Sequence, residues 1–171
     1  MEFPKNEVEA LWCPWRVEYF ELEARNPNFL SDAASATDDA AHLVIARRPT
    51  AFLMMNRYPY AVGHLMAVPN RKTADYHSLG EAEVLDLWRL AGHAQVLLRT
   101  VARAHGFNVG LNLGECAGAG VPDHLHLHIV PRWNGDTNFM PMLSGTRTLS
   151  EGLHGLYDKL TSANEQISSH E

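Results

Sequence analysis

Three histidines stand on alternate residues in the segment 124–130, which reads His-Leu-His-Leu-His-Ile-Val. Successive side chains of a β-strand point to opposite faces of the sheet. The spacing therefore predicts three imidazoles on one face, at intervals of roughly 6.6 Å, and Leu125, Leu127 and Ile129 on the other. A buried imidazole needs partners for two ring nitrogens, so a purely structural row of three would be costly. The segment thus predicts a site that binds or reacts with something.

Two kinds of chemistry suit such a row. A neutral imidazole is a nucleophile toward phosphorus, and the central His126 would have His124 and His128 beside it as hydrogen-bond donors to phosphate or leaving-group oxygens. His-x-His on a strand is also a spacing of zinc ligands, for which His64 is a candidate additional ligand. Asp123 is poorly placed for that role, because a regular strand turns it to the opposite face. The residues by themselves leave both chemistries open.

Size, charge and cysteine content limit the class of protein. The chain has 171 residues and a net charge of −6, which argues against binding to nucleic-acid backbones. Cys13 and Cys116 are the two cysteines and form no Cys-x-x-Cys pair, which disfavours a cysteine zinc site and fits a reducing compartment. The charged residues 1–6 are not followed by the apolar segment of a signal peptide, so we expect none. No apolar run reaches the roughly 20 residues that a membrane helix requires. We therefore expect a soluble cytoplasmic protein without nucleic-acid or membrane partners.

The apolar pattern predicts an α+β fold with a five-stranded, mainly antiparallel sheet and two main helices. We expect a single domain over residues 1–171, made of an irregular N-terminal arm (1–40), a core (41–140) and a C-terminal helix with its tail (141–171). The predicted strands are His42–Arg47, Ala51–Arg57, Gly63–Pro69, Asn108–Gly114 and Asp123–Pro131.

Helix signals fill the remaining segments. Ser78 and Glu81 have the spacing of a capping box, and Gly106 is placed to end the long helix that follows. A second helical pattern covers 149–160, and the polar tail after Thr161 is expected to fray.

A glycine-rich loop, Glu115–Pro122, immediately precedes the histidines. Glycines at 114, 118 and 120 would let backbone N–H groups approach an anion closely. Such a loop is often a plain turn. Its position directly before the histidine row makes it a candidate phosphate-binding loop.

The segment His124–Arg132 matches the His-φ-His-φ-His-φ-φ signature of the histidine triad superfamily of nucleotidyl hydrolases and transferases. Asn56 and, eight residues later, His64 resemble a ribose-contacting residue and a fourth active-site histidine of that family. Residues 112–114 resemble the end of a strand that supplies a polar contact near the phosphates. The resemblance covers roughly residues 40–140.

The resemblance implies a role for each matching residue. His126 is the nucleophile, His124 and His128 contact the leaving group and phosphate oxygens, and His64 supports them. The nucleotide-binding residues that it implies are Asn56 and Asn112, and the glycine-rich loop adds Gly118, Gly120 and Val121 as predicted phosphate contacts. The family fold is a five-stranded antiparallel sheet with two helices, usually in a homodimer, and its hydrolases use no catalytic metal.

Further segments resemble the bacterial diadenosine tetraphosphate phosphorylase group, namely 11–16, 123–126 and 131–139. The fragile-histidine-triad hydrolases share Asn56, His64 and the Pro-Arg pair at 131–132. This chain departs from many triad proteins at 118–121, where backbone replaces a side-chain donor, so the phosphate and acceptor preferences stay open. Cys13 stands alone where some relatives carry a Cys-x-x-Cys zinc pair, and we predict no structural zinc.

The sequence thus predicts an enzyme that cleaves dinucleoside polyphosphates of the diadenosine tetraphosphate type through a covalent nucleotidyl-histidine intermediate. The acceptor is phosphate or water, and adenine is the base that the resemblance implies. We expect no cofactor for the chemistry, although the substrate can enter as its Mg²⁺ complex. The alternatives are a nucleoside phosphoramidase and a nucleotide-binding module without turnover.

Overall fold

Five strands form one antiparallel sheet in the computed structural model, which describes residues 26, 28–136 and 152–169. The strands are β1 (Val44–Arg47), β2 (Ala51–Met55), β3 (Leu65–Pro69), β4 (Gly106–Leu111) and β5 (Leu127–Arg132). Their spatial order is β1-β2-β3-β5-β4, and every neighbouring pair is antiparallel. Because β5 inserts between β3 and β4, the start of β5 lies beside the ends of both. The predicted fold class is confirmed.

Helices cover both faces of this sheet. They are α1 (Phe29–Ser35), α2 (Glu81–Ala102) and α3 (Leu153–Ser168). On one face, alternate strand residues such as Leu53, Leu65 and Ile129 pack with Leu97 of α2 and Leu160 of α3. The intervening residues on the other face pack against α1, and this second cluster consists of Val44, Phe52, Met54, Met66 and Val68 with Leu30 and Ala33. Every residue of β2 and β3 is therefore buried.

The long helix α2 begins and ends differently from the prediction. Ser78 belongs to a preceding 3₁₀ turn, and α2 is capped instead where the Gly80 N–H donates to the Glu83 carboxylate at 2.8 Å. The predicted Ser78–Glu81 capping box is therefore wrong. The helix ends at Ala102, with Arg103 in the left-handed region at φ 51°. Gly106 starts β4, so its predicted role as a helix stop is also wrong.

Two terminal predictions need correction as well. The arm predicted to be irregular contains α1, which is held by buried Leu30 and Ala33. The tail predicted to fray after Thr161 continues α3 to Ser168, because Ala163 extends the buried stripe of that helix. Residues 1–25, 27, 137–151 and 170–171 lie outside the described residues, and so do the predicted helix start at 149 and the last three residues, 137–139, of the 131–139 motif.

The first three predicted strands agree with β1, β2 and β3 to within two residues at each end. Strand β4 covers 106–111 rather than 108–114, because residues 112–114 enter the turn that leads to the glycine-rich loop. Among the described helices, none has the length and apolar character needed to span a lipid bilayer.

Candidate active site

The histidine row lies where β5 begins. The strand starts at Leu127, four residues later than predicted, so His128 is in the ladder whereas His124 and His126 precede it. The backbone before β5 is held outside the strand ladder, because the Leu125 N–H donates to the carbonyl of Thr73, which lies beyond the end of β3, at 2.8 Å. All three histidines are nevertheless buried, with exposures of 1%, 7% and 8% in chain order. The predicted burial of the intervening aliphatic residues, Leu125, Leu127 and Ile129, is confirmed.

His126 presents one ring nitrogen as a free lone pair. Its Nδ1 lies 2.9 Å from the carbonyl oxygen of His124. A carbonyl only accepts hydrogen bonds, so this geometry assigns the proton to Nδ1 and leaves Nε2 unprotonated. Burial lowers the pKa of His126, which keeps the ring neutral at pH 7. A neutral imidazole with a free Nε2 is the nucleophilic form.

His128 presents the opposite group, an N–H donor. The Tyr60 backbone N–H donates to His64 Nδ1 at 3.1 Å, so the proton of neutral His64 is on Nε2. His64 Nε2 lies 2.9 Å from His128 Nδ1, which must accept, and the His128 proton is therefore on Nε2. Within the described part of the chain, that Nε2 is the one buried side-chain nitrogen or oxygen with no hydrogen-bond partner. A buried donor without an acceptor is costly, and a bound anion would satisfy it.

Burial also determines the charge of this histidine. It lowers the pKa of His128 to about 4, and the neighbouring His126 adds repulsion against a second positive charge. The His126 and His128 ring centroids are 4.7 Å apart and nearly perpendicular. At neutral pH the site therefore offers a lone pair and an N–H donor side by side, with no net charge on either ring.

His124 has both ring nitrogens engaged by protein groups. Its Nε2 lies 2.9 Å from the Pro69 carbonyl oxygen, and its Nδ1 lies 3.3 Å from Ser31 Oγ. Burial lowers the pKa of this ring as well. This arrangement leaves no ring nitrogen of His124 for the phosphate contact predicted from the sequence.

A cleft of about 440 Å³ opens above these rings. Its walls are Phe29, Asn56, Tyr58, Tyr60, Met66, Glu115, Gly118, Ala119, Gly120, Val121, Pro122, His126 and His128. The cleft thus brings together six of the predicted site residues. His64 and His124 lie behind the lining rings, and Asn112 is set back, with its amide donating to the Gly118 carbonyl at 3.3 Å.

Several lining residues escaped the sequence analysis. Tyr58 and Tyr60 lie in sequence between Asn56 and His64, which were both predicted to belong to the site. Their position between two predicted site residues could have indicated that they line the cleft as well. Phe29 comes from α1, in the arm that was predicted to be irregular. Glu115 is in the predicted glycine-rich loop and also lines the cleft, although the sequence marked only the glycines of that loop.

The glycine-rich loop forms one wall of the cleft. Gly114 and Gly118 have φ angles of 83° and 86°, in the left-handed region that glycine tolerates. Ala117, Gly118 and Ala119 use their N–H groups within this turn. The N–H groups of Gly120 and Val121 have no partner among the described residues and adjoin the cleft. No lysine or arginine of the described ranges lines it, so a phosphate there would be held by neutral donors.

Asn56 lines the cleft beside His64. Its Oδ1 accepts the Tyr58 N–H at 2.8 Å, and its Nδ2 lies 3.4 Å from His64 Nδ1. Its backbone N–H donates to the His64 carbonyl at 2.9 Å, which fixes the residue at the end of β2. The amide side chain is therefore oriented by the same segment that fixes the tautomer of His64.

Comparison with known proteins places this arrangement in a family. The HIT domain profile matches residues 37–135, more than half of the chain. The chain belongs to the histidine triad (HIT) family. It is 37% identical over 156 residues to the AP-4-A phosphorylase of Mycobacterium tuberculosis, and the aligned region covers 86% of this chain and 80% of the relative. It is 30% identical over 115 residues to an asymmetrical bis(5'-nucleosyl)-tetraphosphatase of Schizosaccharomyces pombe, covering 67% and 63% respectively.

Solved structures agree with this HIT assignment. A zinc-bound histidine triad family protein from Mycobacterium smegmatis superposes with a TM-score of 0.63 at 26% identity, over 75% of this chain and 88% of that one. A histidine triad nucleotide-binding protein from Sulfolobus tokodaii shares the fold, with a TM-score of 0.60 at 22% identity over 74% and 85%. The chain is a HIT-type nucleotidyl hydrolase or transferase, as predicted.

The absence of a structural zinc and of a catalytic metal stays a prediction. In the described ranges, no group of three or more His, Cys, Asp or Glu side chains is arranged to hold a metal ion. Cys116 is exposed in the glycine-rich loop, and Cys13 lies outside the described residues.

Proposed function

We propose that this HIT protein cleaves dinucleoside polyphosphates, with diadenosine tetraphosphate as the representative substrate, through a nucleotidyl-His126 intermediate. One observation carries the proposal. His126, with its free Nε2, and His128, with its partnerless Nε2–H, line the same cleft. The names of the two similar enzymes, a phosphorylase and a tetraphosphatase, support the substrate class.

The first half-reaction transfers the nucleotidyl group to the protein. His126 Nε2 attacks the α-phosphorus, an N–P bond forms, and the bond from that phosphorus to the bridging oxygen breaks with its electron pair leaving on ATP. His128 Nε2–H donates to an oxygen of the reacting phosphate or of the leaving group. The Nδ1–H of the now positive His126 ring keeps its acceptor, the His124 carbonyl, which stabilises the new charge.

The second half-reaction opens the N–P bond. An acceptor oxygen attacks the same phosphorus and returns the electron pair to His126 Nε2. Inorganic phosphate as the acceptor yields ADP, and water yields AMP. In this account His64 holds the tautomer of His128, Asn56 holds the ribose, and the N–H groups of Gly120 and Val121 hold the phosphate. No bound cofactor takes part, and Mg²⁺ accompanies the polyphosphate.

The product pattern tests this function. We expect purified protein with diadenosine tetraphosphate to form ATP, together with ADP when phosphate is present or AMP when it is absent, as resolved by ion-exchange chromatography. A competing adenosine phosphoramidate should be turned over more slowly. Preferred cleavage of the phosphoramidate would instead identify a phosphoramidase. Calorimetric binding of AMP without turnover of either substrate would identify a nucleotide-binding module.

A homodimer is the assembly that we propose for this chain. In the described part of the sheet β4 pairs with β5 alone, so its other edge is open. Helix α2 approaches β4 at Arg99, which lies over the Phe107 ring at 5.3 Å, and its exposed apolar residues are Val96, one turn before Arg99, at 48% and Trp88, eight residues before Val96, at 56%. An open strand edge next to exposed apolar side chains favours burial against a second copy.

Substitution on this surface tests the dimer. Val96→Asp should convert it to a monomer in sedimentation velocity, because a carboxylate would be buried without a partner. Gln166→Lys, on the exposed side of α3, is the matched control and should stay dimeric. A wild-type protein that sediments as a monomer at micromolar concentration would contradict the proposal.

A further inference from the structure

Helix α1 lines the cleft with one residue and contacts His124, which positions the nucleophile, with another. Phe29 lines the cleft, and two residues later Ser31 places its Oγ 3.3 Å from Nδ1 of His124. The other ring nitrogen of His124, Nε2, is 2.9 Å from the Pro69 carbonyl oxygen and therefore carries the proton. Nδ1 is left as an acceptor, and the Ser31 hydroxyl is its donor. The ring is thus clamped from α1 on one side and from the end of β3 on the other.

This clamp acts on the nucleophile through the backbone. The carbonyl of His124 is the acceptor that holds Nδ1–H of His126 at 2.9 Å and so directs its Nε2 into the cleft. Because the peptide that carries this carbonyl moves with residue 124, fixing the ring of His124 also fixes the direction of the carbonyl. Ser31 does not line the cleft, so it acts through His124 rather than on substrate.

A second connection joins the same two segments independently. Lys72 forms an ion pair with Asp123, the residue before His124, and donates to the side chain of Asn28 at 3.0 Å, immediately before α1. Buried Leu30 and Ala33 fix the helix on the sheet between these contacts. Helix α1 is therefore held at its start and in its middle to the residues that precede His126.

We propose that Ser31 is a positioning residue that orients the His126 nucleophile by clamping the ring of His124 from α1. The inference rests on the proposed function for its kinetic consequence, though not for its structural one. In the wild type, α1 contributes Phe29 to the wall of the substrate cleft, and its Ser31 holds the ring of His124. A substrate lying against Phe29 thus contacts the helix that keeps the nucleophile aligned.

The kinetic test compares serines on the same helix. Ser31→Ala should lower kcat for diadenosine tetraphosphate about tenfold, the equivalent of one neutral hydrogen bond, and leave KM unchanged. Ser31→Thr should restore most of kcat because it keeps the hydroxyl. Ser35→Ala is the matched control, since that hydroxyl donates to carbonyls of its own helix at 3.2 Å and is exposed. It should keep wild-type kcat.

A spectroscopic measurement separates positioning from folding and from the function itself. In histidine ¹⁵N spectra, Ser31→Ala should shift Nδ1 of His124 and speed the exchange of the His126 Nδ1–H with water, whereas Ser35→Ala should change neither. Unchanged spectra in folded Ser31→Ala would overturn the proposal, as would a kcat equal to that of Ser35→Ala. Absence of turnover in the wild type would refute the proposed function alone, because the spectra still test the clamp.

Discussion

Replacing His126 by alanine is expected to lower turnover of diadenosine tetraphosphate by about 10⁵-fold or more, as for other enzymes that lose their nucleophile. The reason is that only His126 is in a tautomer that leaves a ring nitrogen lone pair free for attack. Nε2 of His126 is the lone pair directed into the cleft, whereas His128 presents N–H and the nitrogens of His124 are both engaged. Neither neighbour can take over the attack. Release of ATP, followed with a coupled luminescence assay, measures the loss.

Two controls make this result specific. His77→Ala removes an exposed histidine from the 3₁₀ turn before α2 and should keep full turnover. Calorimetry should show that His126→Ala still binds AMP, because the other walls of the cleft are unchanged. Turnover within tenfold of wild type in His126→Ala would contradict a nucleophilic role for this residue.

Acid should destabilise the fold strongly between pH 6.5 and pH 4. The unfolded chain binds a proton at His128 near the ordinary pKa of 6.5, whereas the buried ring does so only near its lowered pKa of about 4. The unfolded state thus holds more protons in this window, and the free energy of unfolding falls as the pH falls. For His128 alone the full loss is about 3 kcal/mol. The lowered pKa values of His124 and His126 add to it in the same direction.

Urea unfolding at a series of pH values measures this loss. Carboxylates with lowered pKa values, such as Asp86, lose their contribution only below about pH 4, so the window reports on the histidines. His128→Gln should flatten the slope, whereas His154→Gln, which removes an exposed histidine of α3, should leave it as in the wild type. An equal slope in the wild type and His128→Gln would show that the burial of this ring does not control acid stability.

The sequence predicted the sheet and most of the site because both depend on local patterns. Short apolar runs separated by turns marked β1, β2 and β3, and the histidine spacing marked the buried row at the start of β5. The place of His64 in the site followed from a family motif, and the structure puts it immediately before β3, with its Nε2 2.9 Å from Nδ1 of His128.

Features that depend on distant contacts were not predictable in this way. The engagement of both nitrogens of His124 requires Ser31, 93 residues away in sequence, and the end of β3. Helix α1 is only seven residues long and is stabilised by packing on the sheet rather than by its own pattern. Strand β5 begins late because the backbone before it bonds to Thr73, which lies beyond the ladder. Periodicity within one segment contains none of this information.

During turnover Nε2 of His126 is expected to bond to the α-phosphorus of the substrate. The most direct measurement mixes the protein rapidly with diadenosine tetraphosphate, quenches it in alkali, which preserves a phosphoramidate bond, and locates the adduct by peptide mass spectrometry. We expect an adenylyl group on His126 that is lost in acid and absent from His126→Ala. An adduct on another residue, or rapid turnover without any adduct at early times, would contradict it.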